Sequence, residues 1–230
     1  MTENRQTQAS KFGDVVLPDG YVEFSPLLAE IQIDGSRRGF AMDATFMIAF
    51  HRFLQDTSAE NWPALMSDAG YAWGTSSYEK IEKLALEVFP EVKNIKELNM
   101  SRFHQLFTNH LASMGWGNFE LKRRDNFLFV DLYDSFIVHA LKQWPGREGG
   151  RASAVCHLYA GFFGGVFSRI SNMKLACLEI TCEHDGFENC SFLLDNSETI
   201  ELIGRKIRAG ASPLEAYQKA RKEIEEQYLD

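Results

Sequence analysis

Three of the four cysteines are spaced so that they could bind one metal ion. Cys182 and Cys190 flank a polar segment between two β-rich runs, and the seven residues between them suit a cross-strand approach in a hairpin. Cys156 lies on the stretch before them, which is predicted to be helical. Three thiolates could converge on one ion, with a carboxylate or a histidine as the fourth ligand. This spacing is a weak signal, and three small buried hydrophobic side chains would fit it as well.

A second candidate set lies on the stretch from Ala152 to Ser168, which carries no formal charge. The helix predicted there, from Ala152 to Ile170, contains three glycines, although each costs about 0.5–1 kcal/mol relative to alanine inside a helix. The candidate ligand or packing face consists of His157, Gly161, Phe162, Phe163, Gly164 and Gly165. Small residues there predict either close packing against a helix or sheet, or a wall for a flat ligand or a second subunit.

The sequence contains no motif for catalysis with a nucleotide cofactor. No G-x-G-x-x-G follows a strand, no P-loop is present, and no Ser-His-Asp or Cys-His arrangement can be identified. The remaining histidines have no partner at ligand spacing: His51, His104, His110, His139 and His184. Tetrapyrrole ligation by one of them and a purely structural role both stay open. These observations favour binding over catalysis.

Composition and charge exclude several classes of protein. The 230 residues are 45% hydrophobic and 24% charged, which excludes disordered, collagen-like and disulfide-scaffold proteins. The net charge of -8 argues against a nucleic-acid partner, because such proteins need a basic surface. The one tight basic cluster, Lys122-Arg123-Arg124, is followed by Asp125 and is predicted to be a strand end or turn.

No segment is predicted to be a targeting signal or a membrane span. The first fourteen residues are polar and lack an apolar core, and the uncharged stretch is about one turn too short to cross a bilayer. We therefore expect a cytoplasmic protein in a reducing compartment. Its cysteines are then thiols or metal ligands rather than disulfides.

The elements that must position these residues follow from periodicity and turn signals. Helices are predicted over 42–54, over 61–89 with an interruption at Gly74-Thr75-Ser76, and over 98–114 with Gly115 as its stop. Further along, the predicted elements are strands 118–122 and 127–133, a helix 135–144 ended by Pro145 and Gly146, a loop 146–151, the uncharged helix, strands 174–182 and 189–194, and two closing helices. The run Ser212-Pro213-Leu214-Glu215 supplies the N-cap, N1 proline and capping-box glutamate of the last helix.

The predicted fold class is α+β. A helical N-terminal half packs with a small antiparallel sheet and a glycine-rich helix in the C-terminal half. The predicted division is an N-terminal arm and irregular segment at 1–40, a ligand-binding domain at 41–195, and a C-terminal helical extension at 196–230.

Three motifs in this region resemble the 4-vinyl-reductase domain family. They are Val155-Cys156-His157-Leu158-Tyr159-Ala160-Gly161-Phe162-Phe163-Gly164-Gly165, then Leu178-Glu179-Ile180-Thr181-Cys182, then Gly186-Phe187-Glu188-Asn189-Cys190-Ser191-Phe192. The family includes a protein linked to bacteriochlorophyll synthesis, sensor domains of aromatic-responsive bacterial regulators and archaeal hydrocarbon-binding proteins, with TRAPP vesicle-tethering subunits as distant relatives. The motif match covers about 151–194, and the broader similarity covers about 42–194.

The resemblance implies a zinc site and its ligands. Zinc-bearing sensor members hold the ion with a helix cysteine, a strand glutamate, a cysteine three residues later and a final hairpin cysteine. The matching residues here are Cys156, Glu179, Cys182 and Cys190. Residues three apart on an ideal strand point to opposite faces, so Glu179 and Cys182 need a bulge or a strand end between them. The resulting net charge near -2 calls for donors around the ligands, with His157 and backbone amides as candidates.

Three functions are compatible with this resemblance. The first is a non-catalytic, zinc-stabilised binding protein for a hydrophobic or chlorophyll-type tetrapyrrole ligand, acting in pigment synthesis or photosystem assembly. The second is a reductase of the 4-vinyl group of a chlorophyllide precursor, and the third is a ligand-free dimerising adaptor. The resemblance also implies a homodimer or a heterodimer with a related domain, a photosystem assembly intermediate as a partner, and a cytoplasmic location that can be peripheral to a photosynthetic membrane.

Overall fold

The computed structural model describes residues 15–58, 61–143 and 154–227. The predicted N-terminal arm, the end of the fourth predicted helix, the loop 146–151 and the first two residues of the uncharged helix lie outside these ranges. The chain forms two compact units, one from residues 1–41 and 80–115 and the other from residues 42–79 and 116–230. Mixed helices and antiparallel sheets confirm the α+β class.

The first unit contains a small sheet that the sequence analysis does not predict. Strands β1 (Val22–Ser25), β2 (Glu30–Ile33) and β3 (Arg37–Gly39) pair antiparallel in that order. Each strand has only three or four residues, so alternation is too brief to detect. Ala29 and Asp34 adopt positive φ in the two tight turns, where a glycine or asparagine signal would normally be sought.

Helix α3 (Met100–Ser113) packs in the same unit and follows its prediction closely. Its buried face includes all four residues of the predicted apolar stripe, namely Phe103, Leu106, Phe107 and Leu111. The Asn99 side chain caps its first turn by accepting a hydrogen bond from the amide of Arg102. Gly115 follows the helix with φ of +77°, which is the left-handed stop that the sequence indicates.

A buried hydrogen bond joins α3 to the residue before β1. The Tyr21 hydroxyl and Nδ1 of His110 are 2.7 Å apart, and both residues are buried. Burial lowers the pKa of His110 to about 4 and raises the pKa of Tyr21 to about 12. Both groups are therefore neutral near pH 7, because each would lose hydration in its charged form.

The second unit is built on a four-stranded antiparallel sheet of order β4-β5-β7-β6. Its strands are β4 (Asn118–Arg124), β5 (Phe127–Tyr133), β6 (Leu175–Thr181) and β7 (Cys190–Asn196). Its helices are α1 (Ala44–Thr57), the first part of α2 (Trp62–Val88), α4 (Phe136–Lys142), α5 (His157–Ser171), α6 (Ser197–Arg208) and α7 (Pro213–Gln227). None of the helices that the structure describes has the length and apolarity to span a lipid bilayer.

Helices cover both faces of this sheet. On one face, α6 and α7 bury Ile203, Ala216, Tyr217 and Ala220 against Phe129, Ile180 and Leu193 of the strands. On the other face, the Phe163 ring of α5 contacts Phe119 of β4 and Phe192 of β7, with centroids 5.4 and 5.3 Å away. The capping box of α7 forms as predicted, since the amides of Ser212 and Glu215 each donate to the other's side chain.

The basic cluster is a strand end, as predicted. Lys122 and Arg124 lie on β4 and form ion pairs with the buried Asp131 of β5, at 3.0 Å for the lysine. Asp125 in the following turn accepts hydrogen bonds from Tyr217 and Arg221 of α7. These contacts attach the last helix to the β4–β5 hairpin.

Helix α2 runs without a break, so the predicted interruption at Gly74 is wrong. The glycines are there because α2 and α5 touch backbone to backbone. A Cβ on Gly74 would lie 2.1 Å from the carbonyl oxygen of Phe162, and one on Gly70 would lie 2.1 Å from that of Leu158. In return, a Cβ on Gly161 would lie 1.9 Å from the oxygen of Ser67, and one on Gly165 2.3 Å from that of Tyr71. Two glycine pairs at four-residue spacing, one on each helix, make this contact.

Substituting one of these glycines tests the contact. We expect Gly161→Ala to lower the free energy of unfolding by at least about 1–3 kcal/mol, because the methyl group forces the two backbones apart. Gly204→Ala on α6 is the matched control, since its Cβ would meet only the flexible end of Arg208 at 3.3 Å. Helix propensity should make that variant more stable by up to about 1 kcal/mol. Urea unfolding followed by circular dichroism gives both values, and an equally stable Gly161→Ala would contradict the packing.

The His110 contact predicts a pH dependence of stability. The unfolded chain takes up a proton at this histidine near pH 6.5, whereas the folded chain does so only near pH 4. The contribution is therefore complete above about pH 6.5 and is lost as the pH falls to about 4, by roughly 3 kcal/mol. We expect His110→Asn to flatten the pH dependence of the unfolding free energy in this range. The pKa of His157, which burial also lowers to about 4, contributes equally to both proteins. An unchanged slope would refute the assignment.

Candidate metal centre

Four acidic side chains from three elements meet in one buried place. Cys156 is the N-cap of α5, Glu179 is on β6, Cys182 follows that strand, and Cys190 begins β7. Their ligand atoms all lie within 4.8 Å of one another, and all four residues are buried. The Sγ of Cys190 lies 3.7 Å from the Sγ atoms of both Cys156 and Cys182. The structure thus brings together all four residues implied by the resemblance.

A β-bulge places Glu179 and Cys182 on the same side. Glu179 pairs with Phe192, but Thr181 pairs with Ser191, so two steps along β6 match one step along β7. The extra residue reverses the alternation, and the residue three positions after Glu179 returns to the α5 face. The sequence analysis states that a bulge or strand end is needed here, and the register shift provides it.

Backbone amides and one hydroxyl surround the ligand atoms. The amide of Cys156 donates to Oε2 of Glu179 at 2.8 Å, and the amide of Glu183 donates to the Sγ of Cys190 at 3.4 Å. The hydroxyl of Ser135, the N-cap of α4, lies 3.4 Å from the Sγ of Cys156. Ser135 is absent from the predicted site; the only signal for it in the sequence is its position just before a helix. These donors supply the partial positive charge that a thiolate-rich centre needs.

The chemistry of the cluster fits a cation. Burial raises the pKa of Cys156 and of Glu179, whereas hydrogen bonds from Cys156 and Cys190 lower the pKa of Cys182 to about 2. Four acidic groups at this spacing cannot all ionise without a positive partner, because their charges repel in a medium of low dielectric constant. Oε1 of Glu179 is also buried, with no hydrogen-bond partner among the described residues. A metal ion would complete its coordination, so the cluster could hold one.

The predicted candidate His157 lies beside this cluster but interacts elsewhere. Its ring is hydrogen bonded to the backbone of Ala154, and it meets Trp62 edge to face with centroids 5.0 Å apart. Of the other histidines, His51 also contacts Trp62, and His139 lies 2.7 Å from the side-chain amide of Gln143. Within the described residues, the cysteine–glutamate cluster is the one group of histidine, cysteine and carboxylate side chains with metal-ligand geometry.

The predicted ligand or packing face divides into three parts. Gly161 and Gly165 lie against the backbone of α2, and Gly164 lies against Cys177 of β6. Phe163 packs on the sheet, and Phe162 contacts two tryptophans that the sequence analysis does not select, Trp73 and Trp116. The space beside Gly161 and Gly165 is therefore filled by a helix. Their neighbour Phe162 leads to an aromatic cluster.

This aromatic cluster reaches the surface. Trp116 stacks on Tyr159 with centroids 5.0 Å apart and contacts Trp73 at 4.5 Å. Trp116 and Tyr159 are buried, whereas Trp73 is 41% exposed. Tyr159 is three residues after Cys156 on α5, so the metal-binding end of the helix and the aromatic cluster are parts of one rigid element. We call Trp73, Trp116, Tyr159 and Phe162 the aromatic wall.

Metal analysis of single-site variants tests the centre. We expect purified parent protein to contain about one metal ion per chain, and Cys182→Ser to lose the ion because a thiolate ligand is removed. Cys177→Ser is the matched control, because this thiol lies on the same strand outside the cluster. Elemental analysis of tag-free protein with thermal melting gives the readout. Metal-free parent protein, or a Cys182→Ser variant with the parent's metal content and stability, would contradict a metal centre.

Comparisons with known proteins agree with this geometry. Residues 147–196, which include all four cluster residues, match the family model of the vinyl-4-reductase domain. The crystal structure of the phenol-responsive sensory domain of the transcription activator PoxR, with phenol, superposes with a TM-score of 0.57 at 16% identity, covering 77% of this chain and 86% of that domain. No curated protein matches the chain in sequence.

Two further solved structures are less similar. A vinyl-4-reductase family protein from Methanocaldococcus jannaschii has a TM-score of 0.41 at 11% identity, covering 68% of this chain and 83% of its own. Trafficking protein particle complex subunit 3 from Naegleria fowleri, covalently bound to palmitic acid, has a TM-score of 0.45 at 10% identity, covering 66% and 90%. The resemblance to the 4-vinyl-reductase domain family is therefore confirmed: residues 147–196 match the model of that domain, and the chain shares the fold of the PoxR sensory domain.

Proposed function

We propose that this chain is a zinc-stabilised, non-catalytic domain that binds a flat hydrophobic ligand on the aromatic wall. The observation that carries the proposal is the course of α5. Its first residue is capped by Cys156 of the buried cluster, and its next turn carries Tyr159 into the wall. The metal thus fixes the helix end that supports the ligand surface.

The donor set supports zinc in this role. Three thiolates and one carboxylate are ligands that Zn²⁺ accepts in tetrahedral sites, and soft thiolates disfavour magnesium and calcium. When bound, zinc would supply a cross-link between α5 and the ends of β6 and β7, and its binding energy would add to folding energy. A cation held by four protein ligands has no open position for substrate, so the same donor set argues against catalysis at the metal.

The exposed part of the wall supports a flat ligand. Roughly 100 Å² of Trp73 faces solvent, if a fully exposed tryptophan presents about 250 Å². Covering that area would contribute about 2–3 kcal/mol before ordering losses, and ring stacking adds about 1 kcal/mol. The wall presents no charged group, since its members are two tryptophans, a tyrosine and a phenylalanine. An uncharged aromatic ring system is therefore the ligand class that the wall favours.

The finer parts of the proposal rest on the family resemblance. Within the class of flat ligands we propose a chlorophyll-type tetrapyrrole, bound and delivered rather than reduced, in pigment synthesis or photosystem assembly. The corresponding location is the cytoplasm, peripheral to a photosynthetic membrane, and the corresponding partner is a photosystem assembly intermediate. The phenol in the PoxR structure belongs to that protein, and makes simple phenols the second probe to test.

A ligand titration tests the proposed function. We expect the zinc-loaded chain to bind chlorophyllide or a phenol with micromolar affinity and to quench tryptophan fluorescence on binding. Trp73→Ala should raise the Kd about 10- to 30-fold, because it removes the exposed ring of the wall. Met173→Ala is the control, since Met173 is an exposed apolar residue that belongs neither to the wall nor to the cluster.

Two results would overturn the proposal. Binding of neither probe at micromolar concentration, with zinc and fold intact, would remove the ligand-binding function and favour a docking role. Conversion of a divinyl to a monovinyl chlorophyllide by the purified chain with NADPH would replace binding with reduction.

A further inference from the structure

Helix α1 has apolar residues on two opposite sides. One side buries Met47 and His51, and α1 packs there against α4. The opposite side carries three phenylalanines that remain exposed to solvent: Phe46 by 52%, Phe50 by 38% and Phe53 by 61%. At 100° per residue these three rings fall within about 60° of arc, so they form one stripe along the helix. We call them the α1 stripe.

The α1 stripe is ordered and apolar. The rings of Phe46 and Phe50 stack with centroids 6.1 Å apart and planes inclined by 11°. The two charged residues of the helix, Arg52 and Asp56, lie beside the stripe and pair with each other at 3.8 Å. Anchors at i, i+4 and i+7 are the pattern by which one helix recognises another apolar helix face.

We infer that the α1 stripe is the contact surface of a homodimer, in which two copies pack α1 against α1 across a two-fold axis. A two-fold interface uses the same patch on both copies, so a stripe with one ring in the middle can meet itself. Phe50 is that middle ring and faces its own symmetry mate. The inference concerns assembly and does not depend on the zinc or the ligand of the proposed function.

Charge favours a second copy over other occupants. The chain carries a net charge of -8, so two copies repel except where their facing surfaces are neutral. The α1 stripe is such a surface. A helix that lies on a lipid surface is normally rich in lysine and arginine on its polar side, whereas α1 has one arginine, which is paired.

The exposed area is enough for the centre of a small interface. The three rings expose together about one and a half phenylalanine side chains, or roughly 300 Å² per copy and roughly 600 Å² per dimer. Specific interfaces bury about 1,200–2,000 Å² in total, with apolar residues at the centre and polar residues at the rim. The stripe supplies the apolar centre of an interface at the lower end of this range, and we expect a reversible dimer with a micromolar Kd.

Sedimentation equilibrium of the full chain, from submicromolar to about 100 μM, tests the inference. We expect a monomer–dimer equilibrium, and Phe50→Ser should raise the dimer Kd at least about 30-fold because a central ring is lost. Phe24→Ser is the matched control, because this phenylalanine is 71% exposed on β1, outside the stripe. It should leave the Kd unchanged. Circular dichroism and metal content check that each variant is folded.

A charge pair makes the test specific for a two-fold contact at Phe50. We expect Phe50→Glu and Phe50→Lys each to be monomeric alone and to form a dimer when mixed, because opposite charges then meet across the axis. A monomeric parent at 100 μM, a dimer that Phe50→Ser does not weaken, or two charged variants that stay monomeric when mixed would each overturn the inference. So would a monomeric parent that cosediments with phosphatidylglycerol vesicles and loses this binding in Phe50→Ser, which would assign the stripe to lipid.

Discussion

The backbone contact between α2 and α5 is the constraint on which the site in the second unit depends. Gly70 and Gly74 on one helix and Gly161 and Gly165 on the other let carbonyl oxygens approach where a Cβ would lie about 2 Å away. Such proximity permits few alternative registers, since sliding either helix by one residue brings a side chain into the gap. The fixed position of α5 then sets where the ligand cysteine at its start and the aromatic rings farther along are presented. Its buried polar start suits a structural ion, and the rings that lead to the surface suit a ligand taken from solvent.

The metal centre depends on a second departure from regular structure. An unbroken β6 would point Glu179 and Cys182 to opposite faces of the sheet, and the bulge brings both to the α5 side. Ser135 and the amides of Cys156 and Glu183 then contact the ligand atoms. A tightly packed helix and an irregular strand are therefore both needed. The helix supplies rigidity, and the bulge supplies a direction that regular alternation cannot give.

The sequence by itself determined the elements with strong local signals and the residues of the metal centre. The helix α3 stripe, the α7 capping box, the β4–β5 hairpin and the α+β class follow from periodicity and turn chemistry, which act between near neighbours. The four cluster residues came from a family resemblance, because the spacing of Glu179 and Cys182 is misleading on a regular strand. The strands of the first sheet were missed, since three or four residues are too few to show alternation.

Only the tertiary structure decided what the glycines and tryptophans do. Gly74 reads locally as a helix breaker, yet α2 continues through it because the loss of helix propensity is small beside the close packing that the missing side chain allows. Trp73 and Trp116 are forty-three positions apart and carry no local signal, so no periodicity could pair them. Propensity and patterning act over a few residues, whereas a helix crossing, a bulge register and an aromatic wall are set by which distant segments meet.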